Sequence, residues 1–304
     1  MSAAIPICHD SDRESWLKAR QEGIGGSDAP AILGQSRFAG PAKIAAIKLG
    51  YQVDDDSESE LLKWGRLVEA PMMQALQEET GIEATVDGTM YRCQIPGREF
   101  MQATLDGTAR VDHDPVGIEC KLAYWTASDW DRGVPAAVNT QVQHQMAVLD
   151  LRASYVLVLL DGYRFRWSRV ERDDAFIEEQ LVPMETMFWE KIQAGEIVPP
   201  TMAAPDREYE ALKKLFPDHV EGKIKHLEGP EWIDVHDRWK VNKAAASQAE
   251  KAAKGYRNQL IAEIGDAEFG QLDDGTRLSL RQQTRAEHVV RKSKFRVLRE
   301  VSGS

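Results

Sequence analysis

Cysteine is scarce in this sequence. Its 304 residues include three, Cys8, Cys93 and Cys120, which are scattered and odd in number. Such a set fits free thiols in a reducing compartment. It excludes a four-cysteine zinc or iron–sulfur site within one chain.

Long apolar runs are also lacking. No run approaches the roughly 18 apolar residues of a membrane span, and residues 1–10 are too short and too uncharged at their start to form a signal peptide. We therefore expect a cytoplasmic protein without a membrane partner. A hydrophobic content of 42% is ample for a core, and the length predicts one large domain plus an accessory one, by the prior of about 150 residues per domain.

Positive charge is in deficit, since the formal net charge is −11. This argues against a nucleic-acid partner, because phosphate binding depends largely on Lys and Arg. The distribution of charge along the sequence weakens that argument. Residues 54–60 form an acidic loop, whereas residues 277–300 carry eight Lys or Arg against two Glu. A net-acidic protein can still hold a local basic channel.

Residues 101–124 contain the most informative stretch. The breaker cluster His-Asp-Pro at 113–115 separates two β-rich runs and predicts a β-hairpin. A two-residue loop at 113–114 would pair Asp106 with Lys121 and place Glu119 on the same face, because side chains alternate along a strand. A slip of one residue would separate Asp106 from the other two.

Two carboxylates that converge on a strand surface predict a site for a hard divalent cation. Mg²⁺ suits one or two carboxylates completed by waters and substrate phosphate, and Lys121 could orient or deprotonate a water or neutralise phosphate charge. A surface salt bridge is the alternative, because Glu-X-Lys recurs at 221–223. That copy lacks a preceding strand. The strand context of Asp106 and Glu119 favours the metal site, with Cys120 on the opposite, core-facing side.

Three further segments carry polar candidates. A helix predicted over 11–22 contains Trp16 and Arg20, and the glycine-rich run at 23–28 ends in a Ser and an Asp that could either bind phosphate or simply cap a helix. A helix with Glu69 on its flank begins near Val68 or kinks there, because of Pro71. The helix predicted over 137–149 carries Gln141, Gln145 and His144, which could meet substrate or only water.

The order of elements predicts a mixed α/β (α+β) core with a central mixed sheet flanked by helices. A hairpin with Asp-Gly at 161–162 and a helix capped by Asp173 complete it. Residues 206–264 predict a helical hairpin, and 267–300 predict strands around Asp274. We therefore expect a core at 1–200 and a C-terminal helical and strand extension at 201–304 that could bind DNA or a partner.

Together these motifs resemble the restriction-endonuclease-like, PD-(D/E)XK, nuclease superfamily. More narrowly, they resemble phage recombination exonucleases of the YqaJ and lambda exonuclease type, over residues 11–195. The landmarks are Trp16 and Arg20 before Ser27 in an Ile-Gly-Gly-Ser-Asp context, Trp64-Gly65-Arg66 leading to Glu69, Asp106-Gly107 with Glu119-Cys120-Lys121, and Gln141-Val142-Gln143.

The resemblance implies a metal-dependent 5′ to 3′ exonuclease that digests linear double-stranded DNA from phosphorylated ends. It would leave 3′ single strands for phage-type recombination and use two Mg²⁺ ions, with Mn²⁺ as the alternative. By position, the resemblance assigns Asp106, Glu119 and the Cys120 carbonyl to the first metal, Glu69 to the second, Lys121 and Gln141 to the attacking water, and Arg20, Ser27 and Trp16 to the DNA end and its 5′-phosphate.

The resemblance also implies a homotrimeric ring around the duplex and a single-strand annealing protein as partner. Two other functions are compatible with the residues. One is a structure-specific or single-strand endonuclease on the same core, which would cut circular DNA without depending on Arg20. The other is a non-catalytic scaffold that binds DNA ends, against which the clustered acids argue. Iron–sulfur relatives are disfavoured because their cysteines are absent.

Overall fold

The computed structural model describes residues 3–51, 60–124, 127–196, 198–284, 296, 298 and 299. The predicted acidic loop at 54–60 and basic stretch at 277–300 lie largely outside these residues. The chain divides into two compact units, Met1–Pro217 and Asp218–Ser304.

In chain order the helices and strands are β1 (Ala4–His9), α1 (Arg13–Gln21), β2 (Ile24–Gly25), α2 (Ala29–Ile32), α3 (Pro41–Lys48), α4 (Glu60–Thr80), β3 (Ala84–Val86), β4 (Thr89–Cys93), β5 (Met101–Thr104), β6 (Gly107–Val111), β7 (Asp114–Ala123), α5 (Ala136–Leu149), β8 (Ala153–Leu160), β9 (Arg164–Glu171), α6 (Asp174–Phe176), α7 (Val182–Gln193), α8 (Pro205–Leu215), α9 (Pro230–Ile264), β10 (Phe269–Gln271) and β11 (Arg277–Ser279).

A five-stranded mixed sheet forms the centre of the first unit. Its order is β3-β6-β7-β8-β9, in which β7 and β8 are parallel and the other neighbours are antiparallel. Parallel neighbours need a crossover connection, and the segment that contains α5 provides it. Strand β8 is apolar along nearly its whole length, as expected for a strand with both faces covered.

Helices cover the two faces of this sheet. On one face, Leu76 of α4 packs with Ile118 and Leu157 of the sheet. On the other face, Met146 of α5 packs with Val158. Burying each such side chain contributes about 1.5–3 kcal/mol, so these contacts fix both helices against the sheet. The predicted mixed α/β core, a mixed sheet flanked by helices, is confirmed.

A smaller sheet, of order β1-β4-β5-β2, sets the position of the glycine-rich run. Its strand β2 pairs in parallel with β5, so that Ile24 lies beside Met101. A Cβ atom at Gly23 would come within 2.4 Å of the Phe100 carbonyl oxygen, and one at Gly26 would come within 3.3 Å of the Gln141 carbonyl oxygen. The glycines therefore let the run approach both β5 and α5.

The hairpin between β6 and β7 forms, but its register differs from the prediction. Val111 pairs with Asp114, so the loop is Asp112-His113, one residue earlier than expected. Both loop residues have positive φ, 51° and 74°, which is typical of a type I′ turn. The predicted pairing of Asp106 with Lys121 is therefore wrong.

The two acids nevertheless stay on the same face of the sheet. Gly107 pairs with Ile118, so the same register brings Asp106 opposite Glu119. Moving the loop by one residue shifts the partner by two positions, and side chains alternate with period two. Asp106 and Glu119 therefore share a face of the sheet, as the sequence predicted.

Other predicted elements are observed with adjusted bounds. The hairpin of β8 and β9 has a three-residue loop, because Leu160 pairs with Arg164. Helix α4 begins at Glu60 and not near Val68, and Pro71 lies inside it. Asp173 caps the next helix by accepting a hydrogen bond from the Phe176 amide.

The second unit is formed by a long helix and a small hairpin. Helix α9 has 35 residues, which corresponds to about 52 Å. Strands β10 and β11 pair antiparallel on either side of the predicted turn at Asp274. The segment predicted as a helical hairpin contains two helices, of which α8 belongs to the first unit and α9 to the second. No helix in the described part of the chain is long and apolar enough to cross a membrane.

Candidate active site

The carboxylate of Glu119 lies at the centre of a polar cluster between β7 and α5. Its side chain is 3% exposed. One oxygen accepts hydrogen bonds from Lys121 Nζ and from Gln141 Nε2, the latter at 2.7 Å. The other oxygen accepts from Gln145 Nε2 at 2.7 Å. Gln141 and Gln145 are four residues apart and so lie on one side of α5, which is why both reach the same acid.

Lys121 is held from two sides. Its Nζ donates to Glu119 and, at 3.0 Å, to Gln141 Oε1. Gln141 therefore donates to the acid with its nitrogen and accepts from the lysine with its oxygen. This closed ring of contacts fixes the ammonium group of Lys121 beside the Glu119 carboxylate at the surface of the sheet.

Asp106 joins the cluster through the backbone. Its Oδ2 accepts a hydrogen bond from the Cys120 amide at 2.7 Å, so the turn before β6 is tied to β7. The thiol of Cys120 packs with α4 on the opposite face, as the sequence predicted, and burial raises the pKa of that thiol. Backbone and not thiol atoms of Cys120 are thus available on the Asp106 side.

The acids of this cluster repel one another. Burial and the charge of Glu119 raise the pKa of Asp106 well above its usual value. Burial, followed by the charges of Glu119 and Asp10, raises the pKa of the half-buried Glu69 to about 7. Burial lowers the pKa of Lys121, but Glu119 and Asp106 outweigh it and the net shift is upward. One lysine therefore compensates the negative charge only in part.

This donor set fits a hard divalent cation. Carboxylate and carbonyl oxygens are the ligands that Mg²⁺ and Mn²⁺ prefer, and the mutual repulsion of the acids would be relieved by a cation. Within the described residues, no three His, Cys, Asp or Glu side chains are grouped closely enough to hold a metal by themselves. A cation here would accordingly draw on Asp106, Glu119 and backbone or substrate oxygens.

A small cavity adjoins the cluster on the side of the smaller sheet. It is lined by Gln141 and Gln145, by Gly25, Gly26 and Ser27, and by Trp16, Arg20 and Gln102, among others. Three buried polar atoms in its lining lack a hydrogen-bond partner among the described residues, namely Trp16 Nε1, Gln102 Nε2 and Gln145 Oε1. Buried polar atoms are rarely left unpaired, so the residues that carry these atoms are candidates to contact a polar group in the cavity.

Arg20 is positioned by a buried ion pair. Asp28, 2% exposed, accepts from Arg20 at 3.1 Å and from Lys48 Nζ at 2.6 Å. Burial raises the pKa of Asp28, but the two cations outweigh it and hold that pKa well below its usual value. Arg20 also lies over the ring of Trp16, 5.0 Å from its centre. The guanidinium is thereby fixed at the cavity wall.

His144 does not face the cluster. Its Nδ1 lies 2.7 Å from Glu185 of α7, and its Nε2 donates to the Gln102 carbonyl oxygen at 2.9 Å. Burial lowers the pKa of His144, whereas Glu185 raises it, and the net shift is upward. With both ring nitrogens engaged, this residue ties α5 to α7 and β5.

The structure thus brings the predicted site residues into two adjacent groups. Lys121, Gln141, Asp106 and Glu119 form one, to which Glu69 is linked by electrostatics, and Trp16, Arg20 and Ser27 line the other. Sequence reasoning missed two contributors, Gln102 and Lys48. It named Gln145 as a candidate beside Gln141, from which it is four residues away, but did not assign it to the acid. No sequence signal identified Gln102 or Lys48, because each reaches the site from an element distant in the chain.

Comparison with known proteins finds a family model that matches part of this chain. Residues 15–152, which include both groups of site residues, match the YqaJ-like viral recombinase domain. The uncharacterized protein YqaJ of Bacillus subtilis (strain 168) is 29% identical over 266 residues, covering 86% of this chain and 81% of that protein. Over residues 15–152 the chain is thus similar to YqaJ-like viral recombinase domains.

Solved structures of exonucleases are also similar to this chain. LHK-Exo in complex with dAMP is 22% identical, covering 66% of this chain and 97% of that one, with a TM-score of 0.49. The alkaline exonuclease LHK-Exo of Laribacter hongkongensis is 22% identical, with coverage of 60% and 93% and a TM-score of 0.47. A phage-related exonuclease of Haemophilus somnus 129PT is 14% identical, with coverage of 57% and 96% and a TM-score of 0.43.

Proposed function

We propose that this protein is a divalent-metal-dependent exonuclease that digests linear double-stranded DNA 5′ to 3′ from phosphorylated ends. The observation that carries the proposal is the ring of contacts among Glu119, Lys121 and Gln141 directly beside the cavity lined by Arg20. Here the groups that would hydrolyse the phosphodiester lie next to a pocket that would bind a terminal phosphate. This arrangement suits an enzyme that cuts at a fixed distance from a strand end. The 3′ strand left behind would serve phage-type recombination in the host cytoplasm.

The acids and the lysine have separate tasks in phosphodiester hydrolysis. Asp106, Glu119 and the Cys120 carbonyl would hold one Mg²⁺, and Glu69 would hold a second. Bound cations lower the pKa of water and stabilise the leaving oxygen. Lys121, kept cationic by its acidic neighbours, orients the attacking water and neutralises charge that builds on the phosphate. Gln141 keeps the lysine in that position through its 3.0 Å contact.

The cavity is suited to a terminal phosphate. The unpaired Trp16 Nε1 and Gln102 Nε2 are donors, and the Arg20 side chain and Ser27 hydroxyl add a cation and a further donor. A phosphate offers only acceptor oxygens, which match such a set. Gln141 and Gln145 border both the cavity and Glu119, so they connect end binding to the cutting site.

The first test compares DNA topologies. Linear 5′-phosphorylated duplex is expected to be degraded with Mg²⁺ and to remain intact with EDTA, while a covalently closed circle survives. A label at either terminus then gives the polarity. Cutting of the circle would replace the proposal with the endonuclease function, and end binding without digestion would replace it with the scaffold.

Arg20→Gln tests end recognition. We expect the ratio of initial rates on 5′-phosphate and 5′-hydroxyl ends to fall by about tenfold or more, since a charge-assisted contact contributes about 1.5–3 kcal/mol. The matched control is Arg13→Gln. Arg13 also lies over the Trp16 ring, at 4.6 Å, but is not part of the cavity lining. An unchanged ratio in Arg20→Gln, or an equal fall in Arg13→Gln, would contradict the assignment.

The family resemblance extends the proposal to assembly. A homotrimeric ring around the duplex would explain how a net-acidic chain keeps hold of DNA, and a single-strand annealing protein would receive the 3′ strand. Light scattering of the purified protein measures the subunit number, and it would exclude the ring if that number were not a multiple of three.

A further inference from the structure

Helix α9 carries a regular seam of residues that nothing in the function above uses. The spacing alternates between three and four residues over four heptads, which is the pattern of a helix that packs along another helix. Its positions are Trp232, Val235, Trp239, Asn242, Ala246, Ala249, Ala253, Tyr256 and Leu260.

This seam is exposed. All 35 residues of α9 are described, and none of them is buried. Trp232 is 46% exposed, and Tyr256 is 67% exposed. Large aromatic side chains aligned on one exposed face indicate an interaction surface. The other large exposed hydrophobic residues of α9, Ile233, Val241 and Ile261, do not follow this spacing.

The seam has a defined centre. Its middle layers are alanines, 246, 249 and 253, whose small side chains allow two helices to approach closely, and its ends carry the large side chains. Asn242 is a polar residue within the seam, and such a residue favours one register over others. If a second copy of the helix is antiparallel and centred between Ala246 and Ala249, these two alanines meet each other and Asn242 meets the partner's Ala253. The large residues Val235 and Trp239 then meet large residues at 260 and 256 of the partner.

Charges beside the seam distinguish the two possible orientations. A parallel pair would bring Arg238 next to the partner's Lys243, two charges of the same sign. An antiparallel pair centred on the alanines brings Lys243 next to the partner's Glu250, and symmetry produces this contact twice. In the single helix Lys243 lies over the Trp239 ring and Glu250 binds Lys254, so both already flank the seam.

We propose that α9 pairs with α9 of a second copy of this chain in an antiparallel, two-fold symmetric arrangement. Trp239 then packs against the partner's Tyr256, and Val235 packs against the partner's Leu260. The paired part of the seam is about 38 Å long, at about 1.5 Å per residue from 235 to 260. This contact is independent of the nuclease site, which lies in the other unit.

Mixed disulfide formation tests the pairing. In the full-length protein with Cys8→Ala, one preparation carries Asn242→Cys and another carries Ala253→Cys. The antiparallel register places 242 opposite the partner's 253, so the mixture is expected to yield a disulfide-linked dimer under mild oxidation. Each variant alone is not expected to yield one, because identical positions are about 16 Å apart along the axis. Ser247→Cys, which lies off the seam, is the control.

The alternatives give different products. Disulfides formed by each single variant alone would establish a parallel pair, and the absence of any mixed disulfide would show that α9 does not pair with itself. Either result overturns the proposal. Neither result bears on the nuclease function, because DNA digestion is measured separately on the same preparations.

A charge exchange provides a second test that does not depend on cysteine geometry alone. Introduced into both cysteine variants, Lys243→Glu places like charges together and is expected to lower the yield of mixed disulfide several-fold. Adding Glu250→Lys is expected to restore it, because the attraction is re-formed with reversed signs. Circular dichroism verifies that helix content is unchanged. Failure of the double exchange to restore the yield would refute the antiparallel register.

Discussion

Glu119→Gln is expected to lower the rate of DNA digestion by about 10³-fold or more while the protein stays folded. Glutamine has nearly the same shape as glutamate but removes the charge that would hold a divalent cation. Without the bound cation the transition state loses several kcal/mol of charge stabilisation. At about 1.4 kcal/mol for each tenfold change in rate, this loss corresponds to the expected factor. Titration calorimetry with Mg²⁺ should show a parallel loss of metal affinity, and Asp106→Asn should behave in the same way.

The chain contains a matched control for this substitution. Glu221 belongs to the second Glu-X-Lys sequence, at 221–223, which lies in the other unit and is exposed. Glu221→Gln should leave both digestion and metal binding unchanged. Retention of metal-dependent digestion by Glu119→Gln would remove Glu119 from the catalytic site and with it the proposed mechanism.

The sequence predicts the shared face of Asp106 and Glu119 for a physical reason. Side chains alternate between the two faces of a sheet, so two residues on paired strands share a face whenever the register is shifted by an even number of positions. The loop is misplaced by one residue, which shifts the pairing by two positions and therefore leaves both acids on one face. The residue that lies opposite Asp106 is harder to predict, because it depends on which two residues form the loop with positive φ. Here these are Asp112 and His113, so that Asp114 and Pro115 enter the strand although Asp-Pro is typical of turns.

The missed residues have a different explanation. Lys48 of α3 reaches Asp28 across 20 positions of sequence, and Gln102 reaches the cavity because β5 pairs with β2. Such contacts arise from tertiary packing, which periodicity within one segment does not encode. Gln145 shows the opposite case. Its spacing from Gln141 marks a common helix face, so once one glutamine is assigned to the acid the other follows.

The long helix α9 is explained by where helix breakers occur. Residues 217–229 contain Pro217, Gly222 and Gly229, whereas residues 231–264 contain no proline and one glycine, Gly255. The charged, alanine-rich composition is therefore compatible with one continuous helix. The apolar residues between 230 and 264, which the sequence analysis assigned to a helical hairpin, lie within this one continuous helix.

Asp28→Asn is expected to destabilise the first unit by about 3–5 kcal/mol, the usual cost of leaving one partner of a buried ion pair alone. The carboxylate receives Lys48 at 2.6 Å, Arg20 at 3.1 Å and the Gly25 amide at 3.0 Å. The Lys48 side chain is 0% exposed, so asparagine would leave a buried ammonium without its counter-charge. A urea titration followed by tryptophan fluorescence should show a lower midpoint.

An exposed ion pair in α9 is the control for this stability effect. Asp234 binds Arg238 at 2.8 Å, but its side chain is 58% exposed. Exposed pairs contribute little, so Asp234→Asn should leave the urea midpoint nearly unchanged. Equal shifts for the two asparagine variants would mean that the buried pair has no special role.

The same pair predicts how stability depends on pH. The folded-state pKa of Asp28 lies below the usual 3.8, so the folded protein keeps this carboxylate ionised where the unfolded chain would already bind a proton. The contribution of the pair is therefore complete above about pH 5 and is lost as the pH falls through 3.8 towards the folded-state pKa. The difference in stability between the original chain and Asp28→Asn should accordingly narrow below pH 4. Because Asp28 also positions Arg20, the preference for 5′-phosphate ends should weaken in the same variant at pH values where the fold is intact.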